Sequence, residues 1–306
     1  MRIHVLGSAA GGGFPQWNCN CRLCDGVRRG TLQARPRTQS SIALQGDPDG
    51  GWLLVNASPD LLLQLRQAPQ LQPARRLRDT GLAGVLLSDA QVDHTTGLYM
   101  LREWGRPLPL WCTDPVYEDL TQGNPVLRVL EHFCGVQRHV LPLHGEGVEV
   151  PGVPGLRITA LPLASKAPPY SPHREAPVPG DNIGLVVDDL HTGRRLFYAP
   201  GLGQQDTRVD EVMRSADCVL VDGTFWQDDE MITLGISPKT GRSIGHLPQH
   251  GPGGMLAWLA TLPASTRKLL IHINNTNPIL DEASPERAEL QRRGVEVAHD
   301  GLQIDL

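Results

Sequence analysis

Apolar positions along the chain arrive in short bursts rather than in long helical stripes. IHVLG at 3–7, SIAL at 41–44, WLLVN at 52–56, GVLLS at 84–88, LRITALP at 156–162, IGLVV at 183–187, RLFYA at 195–199, CVLVD at 218–222 and KLLIHI at 268–273 each have the length and composition of a strand. Helical patterns lie between several of them. Ser58-Pro59-Asp60 ahead of LLLQLRQ places a capping side chain and a proline before an apolar face, and Ser284-Pro285-Glu286 repeats that start signal. Strands dominate the early part of each half and helices follow, which predicts a sheet-on-sheet core with helices outside. Residues 164–182, crowded with proline, and much of 227–253 read as loop, and loops this long more often cover sites than link domains. There is no internal repeat, coiled coil or low-complexity tail.

The totals narrow the class. With 40% hydrophobic and 20% charged residues among 306, the composition is that of a folded globular protein. No run approaches the roughly 18 to 20 apolar residues needed to span a bilayer, and MRIHVLGSAAGGG lacks the apolar core and cleavage site of a signal peptide. The expected location is therefore the cytoplasm. A formal charge of −5 argues against a nucleic-acid surface, and the basic run Ala74-Arg75-Arg76-Leu77-Arg78 reads as a solvated face.

Chemistry concentrates in a few places. Three of the six cysteines, Cys19, Cys21 and Cys24, form C-x-C-x-x-C, a spacing that lets three thiolates on one tight loop converge on zinc with one position left over. Cys112, Cys134 and Cys218 stand alone in apolar surroundings and read as core fillers. Gly11-Gly12-Gly13 matches neither G-x-G-x-x-G nor a Walker loop, so close backbone approach to a neighbouring loop is the better reading. Asp93-His94 is a weak signal alone, since such a pair at a strand end is more often locally hydrogen-bonded. Its position changes that: it follows GVLLS and precedes Thr95-Thr96-Gly97-Leu98, on a strand-to-helix loop where ligand sites concentrate.

The stretch from Ser88 to Gly97 resembles the metallo-β-lactamase superfamily motif T-H-x-H-x-D-H-x-x-G, with Ser88 for the threonine and Asp89 and Gln91 where the first two histidines stand. The segments GSAAGGGFPQWNCNC, KAPPYSPHR, GDNIGL, LVDGTFW, IGHLPQHG and LLIHINNTNPIL closely resemble the pyrroloquinoline quinone (PQQ) biosynthesis protein B family across essentially the whole chain. That resemblance implies one domain over residues 1–306, an α/β four-layer αββα sandwich with its site at the open edge of the two sheets.

Carried over by position, the superfamily's first metal pocket is gone, because Asp89, Gln91 and the Ala164-Ser165-Lys166 region replace its histidines. In the second, Asp93, His94 and His272 remain, while Pro200 and Gly201 fall where a bridging aspartate is expected. Two histidines and one carboxylate with open positions are the ligand pattern of non-haem Fe(II) oxygenases. The implied activity is iron-dependent hydroxylation, with O₂, of a Glu-Tyr-derived diamino acid on the way to PQQ. The alternative is a non-catalytic carrier of PQQ or its precursor, involved in transport to the periplasm. A residual metallohydrolase is disfavoured by the missing ligands.

Asp222, at the end of CVLVD, reads equally as a turn carboxylate or as an added ligand or orienter of His246. His246 reads as a proton donor or a group behind the ligands, and His250 as exposed, since Pro248 between them argues against a helical metal pair. Lys166 and Arg174 read equally as groups that neutralise a carboxylate-rich substrate, with Asp89 and Gln91 beside it, or as solvated side chains. The fourth ligand of the cysteine site is left open between Asn275, a water and an unplaced histidine. The oligomeric state is also open, a homodimer included.

Overall fold

The computed structural model describes residues 1–306 and contains two seven-stranded sheets. The first half of the chain supplies β1 (Arg2–Gly7), β2 (Ser41–Gln45), β3 (Trp52–Val55), β4 (Leu82–Leu86), β5 (Leu108–Cys112) and β6 (Val136–Val140). The second supplies β7 (Val148–Glu149), β8 (Leu156–Pro162), β9 (Ile183–Asp189), β10 (Arg195–Ala199), β11 (Cys218–Asp222), β12 (Arg267–Ile271), β13 (Val295–Val297) and β14 (Gln303–Asp305). Strand β14 returns to the first sheet and pairs antiparallel with β1, so the sheet orders are 14-1-2-3-4-5-6 and 13-12-11-10-9-8-7. Each sheet is antiparallel at one side and parallel at the other: β3 to β6 run parallel in the first, β10 to β13 in the second.

Nine helices complete the chain: α1 (Arg22–Arg29), α2 (Leu61–Gln67), α3 (Val92–Thr95), α4 (Asp114–Thr121), α5 (Val126–Leu130), α6 (Thr207–Ser215), α7 (Glu230–Thr233), α8 (Met255–Leu259) and α9 (Pro285–Arg292). The buried apolar residues fall into three layers. One, with Ile42, Leu53, Leu185, Tyr198 and Leu220, fills the space between the sheets. A second packs α2, α4 and α5 on the outer face of the first sheet, and a third packs α6, α8 and α9 on that of the second. This is the expected αββα sandwich. It explains why β2, β3 and β11 read as unbroken apolar runs: both of their faces are covered, and every residue in them is buried. No helix is long and apolar enough to cross a membrane.

The helix-start signals divide. Ser284 caps α9 as expected, accepting from Arg287 N at 3.0 Å with Pro285 in the first turn. In α2 the helix begins at Leu61, later than the sequence suggests. Ser58 Oγ there accepts from Asp60 N and donates to Gln64, while the Asp60 carboxylate ties Gln39. The proline-rich segment lies between β8 and β9 without helix or strand. Within 227–253, α7 presents Glu230 inward, where it accepts from Trp226 N at 2.8 Å and from Thr276 Oγ1.

Burial pushes Glu230 up to about 7, against hydrogen bonds that favour its charged form. A carboxyl raised in the folded state adds no cost below the unfolded value of 4.5, and its cost grows as pH rises from there to 7. We predict that Glu230→Gln removes a loss of stability of about 2 to 3 kcal/mol between pH 5 and 8. Paired denaturant titrations of wild type and variant across that range check it, and parallel curves would contradict it.

Candidate metal centre at the sheet edge

The carboxyl ends of β4, β11 and β12 meet at one edge of the sandwich, the position where parallel strands leave room for a ligand. After β4 the chain turns through Leu87–Gln91 into the single turn of α3, which carries Asp93 and His94. β11 ends on Asp222, and β12 is followed directly by His272. His272 has φ of 60°, a left-handed backbone that is rare for a residue other than glycine and that the surrounding contacts must enforce. Such strain clusters where a side chain has to be aimed.

Asp93, His94 and His272 point their ligand atoms at one another, all within 4.8 Å. His272 Nε2 lies 3.2 Å and His94 Nε2 3.9 Å from Asp93 Oδ2, and the two imidazoles meet edge to face at 5.3 Å. The other nitrogen of each ring is committed. Both oxygens of buried Asp89 lie 2.8 Å from His94 Nδ1, and the Thr224 hydroxyl lies 3.0 Å from His272 Nδ1. With Nδ1 of each ring held from behind, both Nε2 atoms face the point between them and Asp93. His94 Nε2 is fully buried and has no partner among the protein's own atoms. That orphaned nitrogen beside a carboxylate is what a cation would satisfy, so the set fits a mononuclear divalent metal.

The charges agree. Although burial opposes ionisation, Asp89 and Asp93 raise His94 to about 9, and His94 and His272 hold Asp93 far below the usual carboxylate range. The pocket stabilises positive charge between its carboxylates, and a metal would take the place of a proton.

A second cluster adjoins the first through His272. Asp222 Oδ2 accepts from His246 Nδ1 at 2.7 Å and from Leu202 N at 2.9 Å. Its Oδ1 accepts from Thr224 N at 2.9 Å and Thr224 Oγ1 at 2.6 Å. Thr224 is thus the hub that ties Asp222, His246 and His272 together. Burial works against His246 becoming charged, but Asp222 raises its pKa above the ordinary value. The His246 ring stacks on His272 at 5.2 Å, and its Nε2 has no protein partner.

The remaining expected residues frame the centre. Asp89 sits behind His94, its oxygens also accepting from Ser88 Oγ and Gln91 N. Gln91 donates to the Lys166 carbonyl at 3.1 Å, and Tyr170 donates to that of Ala90, so the proline-rich segment is strapped to the motif loop. Ser165 fastens it to Gly245, next to His246. Arg174 donates to the Ala167 carbonyl within the strap, while Lys166 is half-buried and in no ion pair. His250 is exposed and stacks on Trp226. Gly11 is where the glycine loop makes its close approach: a Cβ there would lie 3.3 Å from Asp93 Oδ2.

Cys19, Cys21 and Cys24 converge in the same way, with their sulfurs within 4.8 Å. Asn275 lies over them, its side-chain amide nitrogen 3.1 Å from Cys19 Sγ and 3.4 Å from Cys24 Sγ. Three sulfurs capped by an amide fit zinc, to which a turned amide would offer its oxygen. Of the participants, Thr224 and Asn56 are not visible as site residues in the sequence. Asn56, with φ of 63°, hydrogen-bonds Ser88 and so props Asp89.

Comparison with known proteins agrees with this geometry. The β-lactamase superfamily domain model matches residues 51–273. The coenzyme PQQ synthesis protein B of Azoarcus sp. strain BH72 is 66% identical over 306 residues, covering all of both chains, and that of Methylobacillus flagellatus is 57% identical over 307. Among solved structures, zinc-bound PqqB from Methylobacterium extorquens superposes with a TM-score of 0.91 at 39% identity, covering all of both chains. A diphosphatase of the PhnP family matches at 0.68 and 17%, covering all of this chain and 97% of that one, a likeness of fold.

Two outcomes follow for metal binding. Asp89→Asn and Thr224→Val should each lower divalent-metal affinity at the Asp93, His94 and His272 set by about 10- to 100-fold, since both loosen a ligand ring. Competition against a chromophoric chelator measures this, and unchanged affinity would remove Asp89 and Thr224 from the site. Cys24→Ser should abolish tight zinc retention and lower the melting temperature, read by metal analysis and calorimetry.

Proposed function

The chain belongs to the coenzyme PQQ synthesis protein B family of the β-lactamase superfamily, and on that basis we propose that it hydroxylates a Glu-Tyr-derived diamino acid intermediate of PQQ synthesis at a mononuclear Fe(II) site. The supporting observation is the buried, unpartnered Nε2 of His94, which completes one carboxylate and two imidazoles on one side of a single point. A dinuclear hydrolytic centre needs ligands on the far side as well. Asp89 is turned to hold His94 there, and Gln91 to hold the strap. Bound at Asp93, His94 and His272, Fe(II) would supply activation of O₂ for oxygen insertion.

The chain's own groups account for the rest. Asp89 and Thr224 hold both histidine rings from behind, and Asp93 stays ionised. His246, its Nδ1 held by Asp222 and its ring stacked on the ligand His272, keeps a proton available to a substrate oxygen at Nε2. Lys166 is the free cation of the strap and would meet a substrate carboxylate. Arg174, through Ala167, keeps the strap shaped and serves the substrate indirectly. Asp89 and Gln91, expected beside the substrate, act in this reading through His94 and Lys166. We read residues 1–306 as one domain working in the cytoplasm, with its zinc in the cysteine site serving structure.

Anaerobic Fe(II) titration with substrate present should show one equivalent beyond the cysteine site, lost in Asp93→Ala. Substrate-dependent O₂ uptake by the iron-loaded protein should vanish in His94→Ala. Uptake unchanged in that variant would refute the oxygenase. Absence of iron binding even with substrate would favour a carrier of PQQ or its precursor.

A further inference from the structure

The edge of the sandwich opposite the metal centre is where β4 and β5 begin, and the segments leading into them lie together with the end of helix α2. Gln72 Nε2 donates to the Arg66 carbonyl at 2.8 Å, and Arg78 Nη1 lies 3.9 Å from Glu103 Oε2. This face carries Arg66, Arg75, Arg76, Arg78, Arg102 and Arg106, all exposed. Two acids answer them: Asp79 pairs with Arg75 at 3.3 Å, and Glu103 makes only the long contact with Arg78. Arg66, Arg76, Arg102 and Arg106 are in no ion pair. In a chain of formal charge −5, the patch has the opposite sign to the whole.

Aliphatic side chains are interleaved with these arginines. Leu77, between Arg76 and Arg78 at the tip of the loop, is 101% exposed and packs on nothing. Leu62 is exposed one turn before Arg66 on α2, and Met100 two residues before Arg102. The loop is shaped from within: Asp79 accepts from Ala74 N at 3.1 Å and Arg75 N at 2.9 Å, and Arg75 Nη2 donates to the Thr80 carbonyl at 2.6 Å. Folding gains nothing from a leucine held wholly in water, whereas a bilayer surface rewards both residue types. Guanidinium forks match phosphate oxygens, while aliphatic groups and arginine stems enter the acyl boundary. A nucleic acid would call for exposed aromatic rings, and Trp104, the aromatic of these segments, is half-buried. An acidic polypeptide would answer the arginines alone. Screening over about 8 Å at physiological ionic strength mutes the acids elsewhere on the chain.

We propose that this face docks peripherally on an anionic lipid bilayer, with Leu77 entering the interface and the arginines meeting headgroup phosphates. Strand β4 runs from this face to the loop that carries Asp93 and His94, so docking leaves the metal centre turned away from the lipid.

Sedimentation of the full-length, zinc-loaded protein with vesicles tests this. It should pellet with phosphatidylglycerol mixed into phosphatidylcholine, stay in solution with phosphatidylcholine alone, and be released by about 0.5 M salt. Arg76→Glu combined with Arg78→Glu should lower partitioning at least about tenfold, and Leu77→Ser about three- to fivefold, both with melting behaviour kept. Arg208→Glu combined with Arg292→Glu makes the same change of net charge on helices α6 and α9 over the second sheet, and should leave binding unchanged. No preference for the anionic vesicles, equal weakening by that second pair, or full binding in Leu77→Ser would each overturn the proposal. So would capture by soluble poly-glutamate without vesicle binding, which would assign the face to an acidic protein.

Discussion

Everything at the sheet edge answers to one constraint: three aspartates, Asp89, Asp93 and Asp222, sit where two apolar sheets meet, and a carboxylate there needs a positive or donating partner on each oxygen. Asp89 and Asp222 have theirs, in His94 and His246 together with backbone and hydroxyl donors. Asp93 has only imidazoles facing it, and one of their nitrogens is left over. The neighbourhood serves to keep that imbalance in place. The glycine loop comes close enough that a Cβ at Gly11 would press on the Asp93 carboxylate, and His272 adopts a left-handed backbone that is rare for a residue other than glycine.

The departures from the superfamily motif follow the same logic. An aspartate in place of the first histidine cannot donate, so it turns back and becomes the acceptor for His94 Nδ1. A glutamine in place of the second is long enough to reach the strap. Positions that would hold a second metal in a dinuclear enzyme here hold the His94 ring and the strap instead.

The fold was readable in the sequence mainly where burial is two-sided, although β5, LPLWC, is buried throughout and went unread because its proline breaks the strand pattern. The nine apolar runs all became strands, most of them covered on both faces by helices and the opposing sheet, while β8 alternates buried and half-buried residues. β6 was not readable: VQRHV lies at a sheet edge, half-exposed, and its pattern resembles loop. β13 and β14, three residues each, are too short to show a period. Of the site, Asp93, His94, His272 and the cysteines stood out because ligand chemistry restricts residue type. Thr224 and Asn56 did not, because their importance lies in partners 48 and 32 residues away and, for Asn56, in a backbone angle no composition reveals.

His272 and Asn275 are three residues apart, a span of about 10 Å at most, yet one faces the Asp93 centre and the other caps the cysteine sulfurs. A single short loop is thereby shared by two pockets of opposite taste, thiolate-soft and imidazole-carboxylate. The protein holds that loop itself, Ile273 N donating to the Ser8 carbonyl and Asn277 to that of Gly223, so any substitution that shifts this one turn disturbs both pockets at once.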